Sequence, residues 1–212
     1  MAEYKLSQLK DIKKEIWDSQ ISTYKCPINH DIEYFLLNRA KYFEKQHWAS
    51  TYCMFTNEPE NVKDIFIAYF TLSIRTIVLE NQSAELKSKD NKLAKLSDKL
   101  IKRLYASSRP DKELDRYLIA MPLIGQLGKN FYNGYNELVH GNEVLDFACQ
   151  VVWDIQQKSS GEFVYLECED TPVIKNFYIE NNFVEFGKRY LNNGDSDKYL
   201  VRMIKYLTNE YR

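Results

Sequence analysis

All seven glycines of this 212-residue chain lie at positions 125, 128, 134, 141, 161, 187 and 194, so the first 124 residues contain none. That half has few positions requiring positive φ. The stretch from Gly125 to Gly194 is where the backbone turns tightly or lets another group approach closely. So low a glycine content excludes collagen-like and Gly/Ser-linker architectures. No Pro/Gly/Ser-rich stretch divides the chain, and a single domain over residues 1–212 is expected.

Lysine plus arginine number 29 against 30 aspartates and glutamates, a net charge of −1. This argues against a surface that binds nucleic acid all over, while leaving room for a local basic patch. The longest apolar run, 65–74, is too short for the ~20 residues that cross a bilayer, and the segment from Met1 lacks an apolar signal region. A cytoplasmic protein with no membrane partner is expected. Cys26, Cys53, Cys149 and Cys168 show neither metal-type nor disulfide-framework spacing, and His30, His47 and His140 lie far apart. Reduced, mostly buried thiols and no metal site are expected.

Apolar residues at Leu6, Leu9, Ile12, Ile16 and Trp17 have helical spacing, repeated at Ile32, Phe35, Leu36, Ala40 and Phe43 after the start signal Asn29-His30-Asp31. Two amphipathic helices should come first. Strand formers at 50–56, a polar turn and the apolar run 65–74 predict a hairpin whose second strand is buried on both faces. From Glu85 to Arg103, seven basic residues face three acidic ones, with Leu93, Leu96, Leu100 and Leu104 on one helical face. This predicts a basic helical insertion at about 81–110, either a solvated surface helix or a docking face for a polyanion such as RNA.

Beyond Pro122, residues 123–128 read as a strand with two glycines, followed by a Gly/Asn/Tyr-rich loop at 130–136 and a helix lined by Val144, Leu145, Ala148, Val151, Val152 and Ile155. A strand at 163–168, a helix opened by Thr171-Pro172 and a strand pair at 184–190 and 199–207 complete the order. The pattern predicts an α/β (α+β) fold with a mixed sheet and a crossover joining two parallel strands. A strand feeding a loop and then a helix N-terminus makes an anion site, because first-turn amides lack partners and the helix dipole adds positive charge. His140-Gly141-Asn142 sits at that point, with Lys129 as a source of charge. A plain turn is the alternative.

The order of elements and their residues resembles the GNAT N-acetyltransferase family from about Tyr24 onward. The segment Leu123-Ile-Gly-Gln-Leu-Gly-Lys-Asn130 is similar to the family's fourth strand, and Gly141-Asn-Glu-Val-Leu-Asp-Phe-Ala148 to the end of its pyrophosphate loop and the helix after it. Val164 to Thr171, then Lys175-Asn-Phe-Tyr-Ile-Glu-Asn-Asn-Phe183, look like its fifth strand and following helix. The resemblance implies a mostly antiparallel twisted sheet with a splayed parallel pair, flanked by helices. It also implies acetyl-CoA as acyl donor, held by Gln126, Leu127, Gly128 and Lys129 on the strand and by Val139, His140, Gly141 and Asn142 at the pyrophosphate. Tyr178 would donate a proton to the departing thiolate. A phenol, with pKa about 10, remains protonated at neutral pH. Glu167 and Glu169 are candidates for taking the proton of the attacking amine, with solvated or capping carboxylates as the alternative. The sequence departs from the family's pyrophosphate pattern at Asn136 and Val139, has Thr171 where relatives often have Asn, and has Asn182 in place of the glycine of Gly-Phe.

The N-terminal half, through Cys26-Pro-Ile-Asn-His-Asp-Ile-Glu-Tyr-Phe-Leu37 and the two hairpin strands, looks like the GNAT-fold toxins of toxin–antitoxin pairs, which acetylate the amine of aminoacyl-tRNA and are neutralised by a small antitoxin. That likeness implies tRNA contact through the segment from Lys87 to Arg103, and an antitoxin partner. Three functions follow: acetylation of a small-molecule or peptide amine, acetylation of aminoacyl-tRNA, or a catalytically silent CoA-binding module. A homodimer is compatible with each.

Overall fold

The computed structural model describes residues 4–57, 64–80, 93, 95–191 and 199–207. The strands are β1 (Tyr4–Gln8), β2 (Ser50–Asn57), β3 (Asp64–Glu80), β4 (Arg109–Asp111), β5 (Arg116–Lys129), β6 (Phe163–Cys168), β7 (Val184–Tyr190) and β8 (Tyr199–Tyr206). The helices are α1 (Lys14–Ser19), α2 (His30–Tyr34), α3 (Ala40–Lys45), α4 (Asp98–Ala106), α5 (Gly141–Ser159) and α6 (Pro172–Glu180). The strands form a mostly antiparallel eight-stranded sheet with one parallel pair, in the order β1-β2-β3-β5-β6-β8-β7, with β4 on β5. The mixed architecture expected from the sequence is the one observed. By their contacts, residues 1–73 with 124–150 form one compact unit, and residues 74–123 with 151–212 form another.

In the first unit the chain begins with a strand where helical spacing predicted a helix. β1 pairs antiparallel with β2, placing Leu6 opposite Met54. The Leu6, Leu9, Ile12 spacing fits a helix, but a 3-10 turn at Leu9–Asp11 breaks it, and only the six residues of α1 are α-helical. Backbone pairing to β2 overrides the periodicity. The second predicted helix exists, its start capped by Asn29, whose side chain accepts from the amides of Asp31 and Ile32, and a π turn at Phe35–Arg39 separates α2 from α3. The hairpin β2–β3 forms as expected, with a bulge at Met54/Phe55. Seven consecutive residues of β3, 66–72, are buried, as a strand covered on both faces requires. The core of this unit gathers Leu9, Ile21, Tyr24, Leu36, Phe55, Phe66 and Tyr69.

In the second unit the leucine stripe behaves differently from its helical reading. Ser97 caps α4 by accepting from the Leu100 amide, so Leu93 and Leu96 precede the helix. Residues 81–92 and 94 lie outside the described residues. Leu93, Leu96, Ile101 and Leu104 nevertheless enter one core with Ile77, Ile119, Met121, Phe163 and Phe186. β5 begins at Arg116, well before the predicted strand at 123, because β4 pairs with it, Pro110 opposite Tyr117. β6 pairs with β8, and β8 with β7, both antiparallel. The turn predicted at 192–195 lies outside the described residues. All four cysteines are buried, and none is in a disulfide. No described group of three or more His, Cys, Asp or Glu side chains is arranged to hold a metal, and no described helix is long and apolar enough to cross a membrane.

Candidate active site

The cofactor-side candidates all fall in the first unit, and the structure joins their two groups. Gln126, Leu127, Gly128 and Lys129 end β5, and Val139, His140, Gly141 and Asn142 lead into α5. Between them runs a 3-10 segment, Tyr132–Leu138, broken by left-handed residues Asn133 (φ 51°) and Gly134 (φ 76°). The Lys129 ammonium closes this loop by donating to the carbonyls of Asn136 (2.9 Å) and Val139 (3.2 Å). The sequence suggested that Lys129 adds charge for a phosphate. Here its donors are directed into the loop backbone and fix its shape.

Asn130 locks the other side of the loop. Its buried side chain donates to the Phe66 carbonyl at 2.9 Å and accepts from the amides of Lys25 (3.2 Å) and Tyr132 (3.1 Å). Its amide donates to Ile67 O at 2.7 Å. The end of β5 is thereby tied to β3, to the turn before α2 and to the loop. At Gly128 an added Cβ would lie 2.5 Å from the Tyr24 hydroxyl and 2.6 Å from Ile32 Cγ2. The close approach that this glycine permits is therefore by Tyr24 and Ile32. Tyr24 is itself buried, and its hydroxyl has no hydrogen-bond partner among the described residues.

At the start of α5, Glu143 Oε2 accepts from the His140 amide at 2.7 Å, and Glu143 Oε1 accepts the Tyr4 hydroxyl at 3.2 Å. This is the return half of a capping box, with the carboxylate three residues into the helix satisfying the amide of the residue before it. Among the described residues, nothing accepts from the amides of Gly141 and Asn142, so these remain available to an anion. Sequence reasoning passed over Glu143, although its place three residues after His140 is the capping-box signal. Burial and the Glu143 carboxylate push the Tyr4 hydroxyl above its ordinary pKa.

The acid and base candidates fall in the second unit. Tyr178 sits near the end of α6, part-buried, its ring packed edge-on against Phe177 (5.0 Å) and Phe183 (5.9 Å). No described residue hydrogen-bonds its hydroxyl. Burial, with a smaller contribution from neighbouring Cys168, pushes its pKa well above 10. The phenol thus stays protonated and its donor is unspent. Asn182, where the family has glycine, adopts φ 65° just after α6, a left-handed conformation that Asn tolerates better than most residues.

Glu167 is committed. Its carboxylate accepts from Arg189 Nε (2.6 Å) and Arg202 Nε (3.1 Å), a pairing that links β6 with β7 and β8. Glu169 is exposed, and its carbonyl accepts the Thr171 amide at 2.9 Å. Burial raises the Cys168 thiol to about 11, so it is a thiol at neutral pH and a poor nucleophile. Direct transfer needs no such nucleophile.

No protein-family model and no curated protein matches the sequence. Solved structures do match. A bacterial toxin superposes with a TM-score of 0.60 at 15% identity, over 97% of this chain and 92% of its own. AtaT complexed with acetyl-methionyl-tRNAfMet matches with a TM-score of 0.58 at 15% identity, over 94% of each chain. This is the GNAT fold. A third GNAT-fold structure, an AtaT mutant toxin bound to the C-terminus of the antitoxin AtaR and acetyl-CoA, matches with a TM-score of 0.55 at 13% identity, over 96% of this chain and 92% of its own. The GNAT fold expected from the sequence agrees with the architecture.

Proposed function

We propose that this protein is an N-acetyltransferase that moves the acetyl group of acetyl-CoA directly to a primary amine. The amine lone pair forms a C–N bond at the thioester carbonyl as the C–S bond breaks. Tyr178 gives its hydroxyl proton to the departing thiolate, and the excess proton of the amine passes to water or to Glu169. Glu167 is the weaker base candidate, because both of its oxygens already accept from guanidinium groups. Gln126, Leu127 and Gly128 would line the pantetheine arm, and the amides of Gly141 and Asn142 would meet the pyrophosphate, with Val139, His140 and Lys129 shaping the loop.

The observation that carries this reading is Tyr178, a protonated phenol with an unspent donor on the helix that follows β6. A silent CoA-binding module would have no use for it. Two acceptors are in play. A small-molecule or peptide amine suits the near-neutral composition, with a net charge of −1. The aminoacyl end of a tRNA is favoured by the fold's likeness to AtaT complexed with acetyl-methionyl-tRNAfMet, and the likeness to AtaT bound to AtaR favours an antitoxin partner. Incubation with labelled acetyl-CoA and either charged tRNA or an amine panel tests the reading. Label entering charged tRNA supports the second acceptor; label entering small amines alone returns the first.

A further inference from the structure

A groove of about 1210 Å³ lies within the second unit, and neither Tyr178 nor any cofactor candidate lines it. α4 supplies its basic wall. Lys99, Lys102 and Arg103 stand at i, i+3 and i+4, one face of the helix, while Ile101 and Leu104 enter the core. Arg109 extends the basic wall into β4. Ile74, 62% exposed, and the β5 residues around Pro122 give the groove an apolar lining. One acid lines it, Glu162, and this carboxylate is already bonded to Arg103 and Ser107. Among the described residues, Lys99, Lys102 and Arg109 have no carboxylate partner. Gln156, which also lines the groove, donates through Nε2 to Phe163 O at 2.8 Å, and its buried Oε1 has no donor among the described residues.

Three cations without carboxylate partners and an apolar lining in one groove match the chemistry of a nucleotide chain: phosphates on the basic residues, bases and sugars on the apolar ones. We propose that this groove docks an unpaired stretch of RNA. The inference rests on the reading of an RNA-borne amine as acceptor, and it assigns to α4 and β4 the contact that the sequence pattern had spread over the segment from Lys87. A groove suits an unpaired strand, whose base faces need a concave surface, better than a duplex.

The test is binding of a labelled single-stranded RNA oligonucleotide, without acetyl-CoA, across a salt series. The charge reversals K99E, K102E and R109E together should weaken binding at least tenfold at low salt. They should also reduce the slope of log affinity against log salt by about 2, since each phosphate neutralised on a single strand accounts for roughly 0.7 of that slope. Thermal unfolding checks that the variant is folded. Reversal of Lys10, Lys13 and Lys14, exposed basic residues of the other unit, should leave binding close to wild type. Unchanged affinity and slope in the groove variant overturn the proposal. So does an equal drop in the control variant, or equally tight binding of an RNA duplex or of a nucleoside triphosphate. Charged tRNA acetylation by the wild type is measured separately. Groove-dependent RNA binding without acetylation counts against the acceptor reading alone, and acetylation with groove-independent binding counts against the groove.

Discussion

Glu143 Oε2 accepts the backbone N–H of His140 at 2.7 Å, which sets a carboxylate in the first turn of the helix whose free amides would meet the cofactor's pyrophosphate. The bond holds the loop in place, but the negative charge opposes a phosphate there. Glu143→Gln keeps an acceptor oxygen and removes the charge. Interactions of this kind at a helix terminus are worth about 0.3–1 kcal/mol, so acetyl-CoA affinity measured by calorimetry should rise about two- to fivefold. Glu143→Ala, which also removes the bond to His140, should show a smaller gain or a decrease.

Asn130 makes three side-chain hydrogen bonds from a buried position. Asn130→Ala leaves two amides and a carbonyl without these partners. Each buried group so orphaned costs about 1–3 kcal/mol, and partial relaxation should bring the total destabilisation to roughly 2–4 kcal/mol in chemical denaturation. A change near zero would show that Asn130 does not organise the end of β5.

Gly128 and Tyr24 should be energetically coupled. Gly128→Ala forces its new methyl against Tyr24 and Ile32, and overpacking of this sort costs about 1–3 kcal/mol. Tyr24→Phe removes a buried hydroxyl that has no partner among the described residues and should be neutral or slightly stabilising by itself. Combined, the two substitutions should cost less than the sum of their separate effects, since the hydroxyl is the nearer obstacle. Strict additivity in a double-mutant cycle would contradict the packing described.

Glu33 gives a pH dependence with a defined sign. The Cys26 amide donates to its carboxylate at 2.8 Å, and with the Lys25 ammonium nearby this holds its pKa below the usual glutamate value. A carboxyl depressed in the folded state contributes stability above its unfolded pKa of about 4.3, and that contribution is lost as pH falls through the folded value. Glu33→Gln keeps an acceptor for Cys26 and deletes the titration. The stability difference between wild type and variant should be flat from about pH 5 to 7 and shrink below about pH 4.

Much of the fold was legible because strong local signals agreed with it. The Thr171-Pro172 helix start, the doubly buried run in β3 and the helix opening at Gly141 each formed where the sequence placed them. β1 was misread because Leu6, Leu9 and Ile12 satisfy a helical period, while pairing to β2, distant in sequence, decides the outcome. β4 is too short to carry a periodic signal. At the site, the types of residue were readable but their commitments were not. Lys129 binds loop carbonyls, Glu167 binds two arginines, and Gly128 makes room for Tyr24. Each depends on a partner that no local spacing reveals.

The central claim is that acetyl transfer to an amine runs through the Tyr178 hydroxyl. The most direct measurement is the rate of label transfer from labelled acetyl-CoA to an acceptor amine, compared between wild type and Tyr178→Phe, with acetyl-CoA affinity measured alongside. General acid catalysis is typically worth about 10²- to 10⁴-fold, so turnover should fall by that order while affinity stays within about twofold. Because burial holds the phenol well above pH 10, the wild-type rate should show no alkaline decline from this group below about pH 10. Equal turnover in the two proteins, or a wild type that neither binds acetyl-CoA nor transfers its label, would contradict the account.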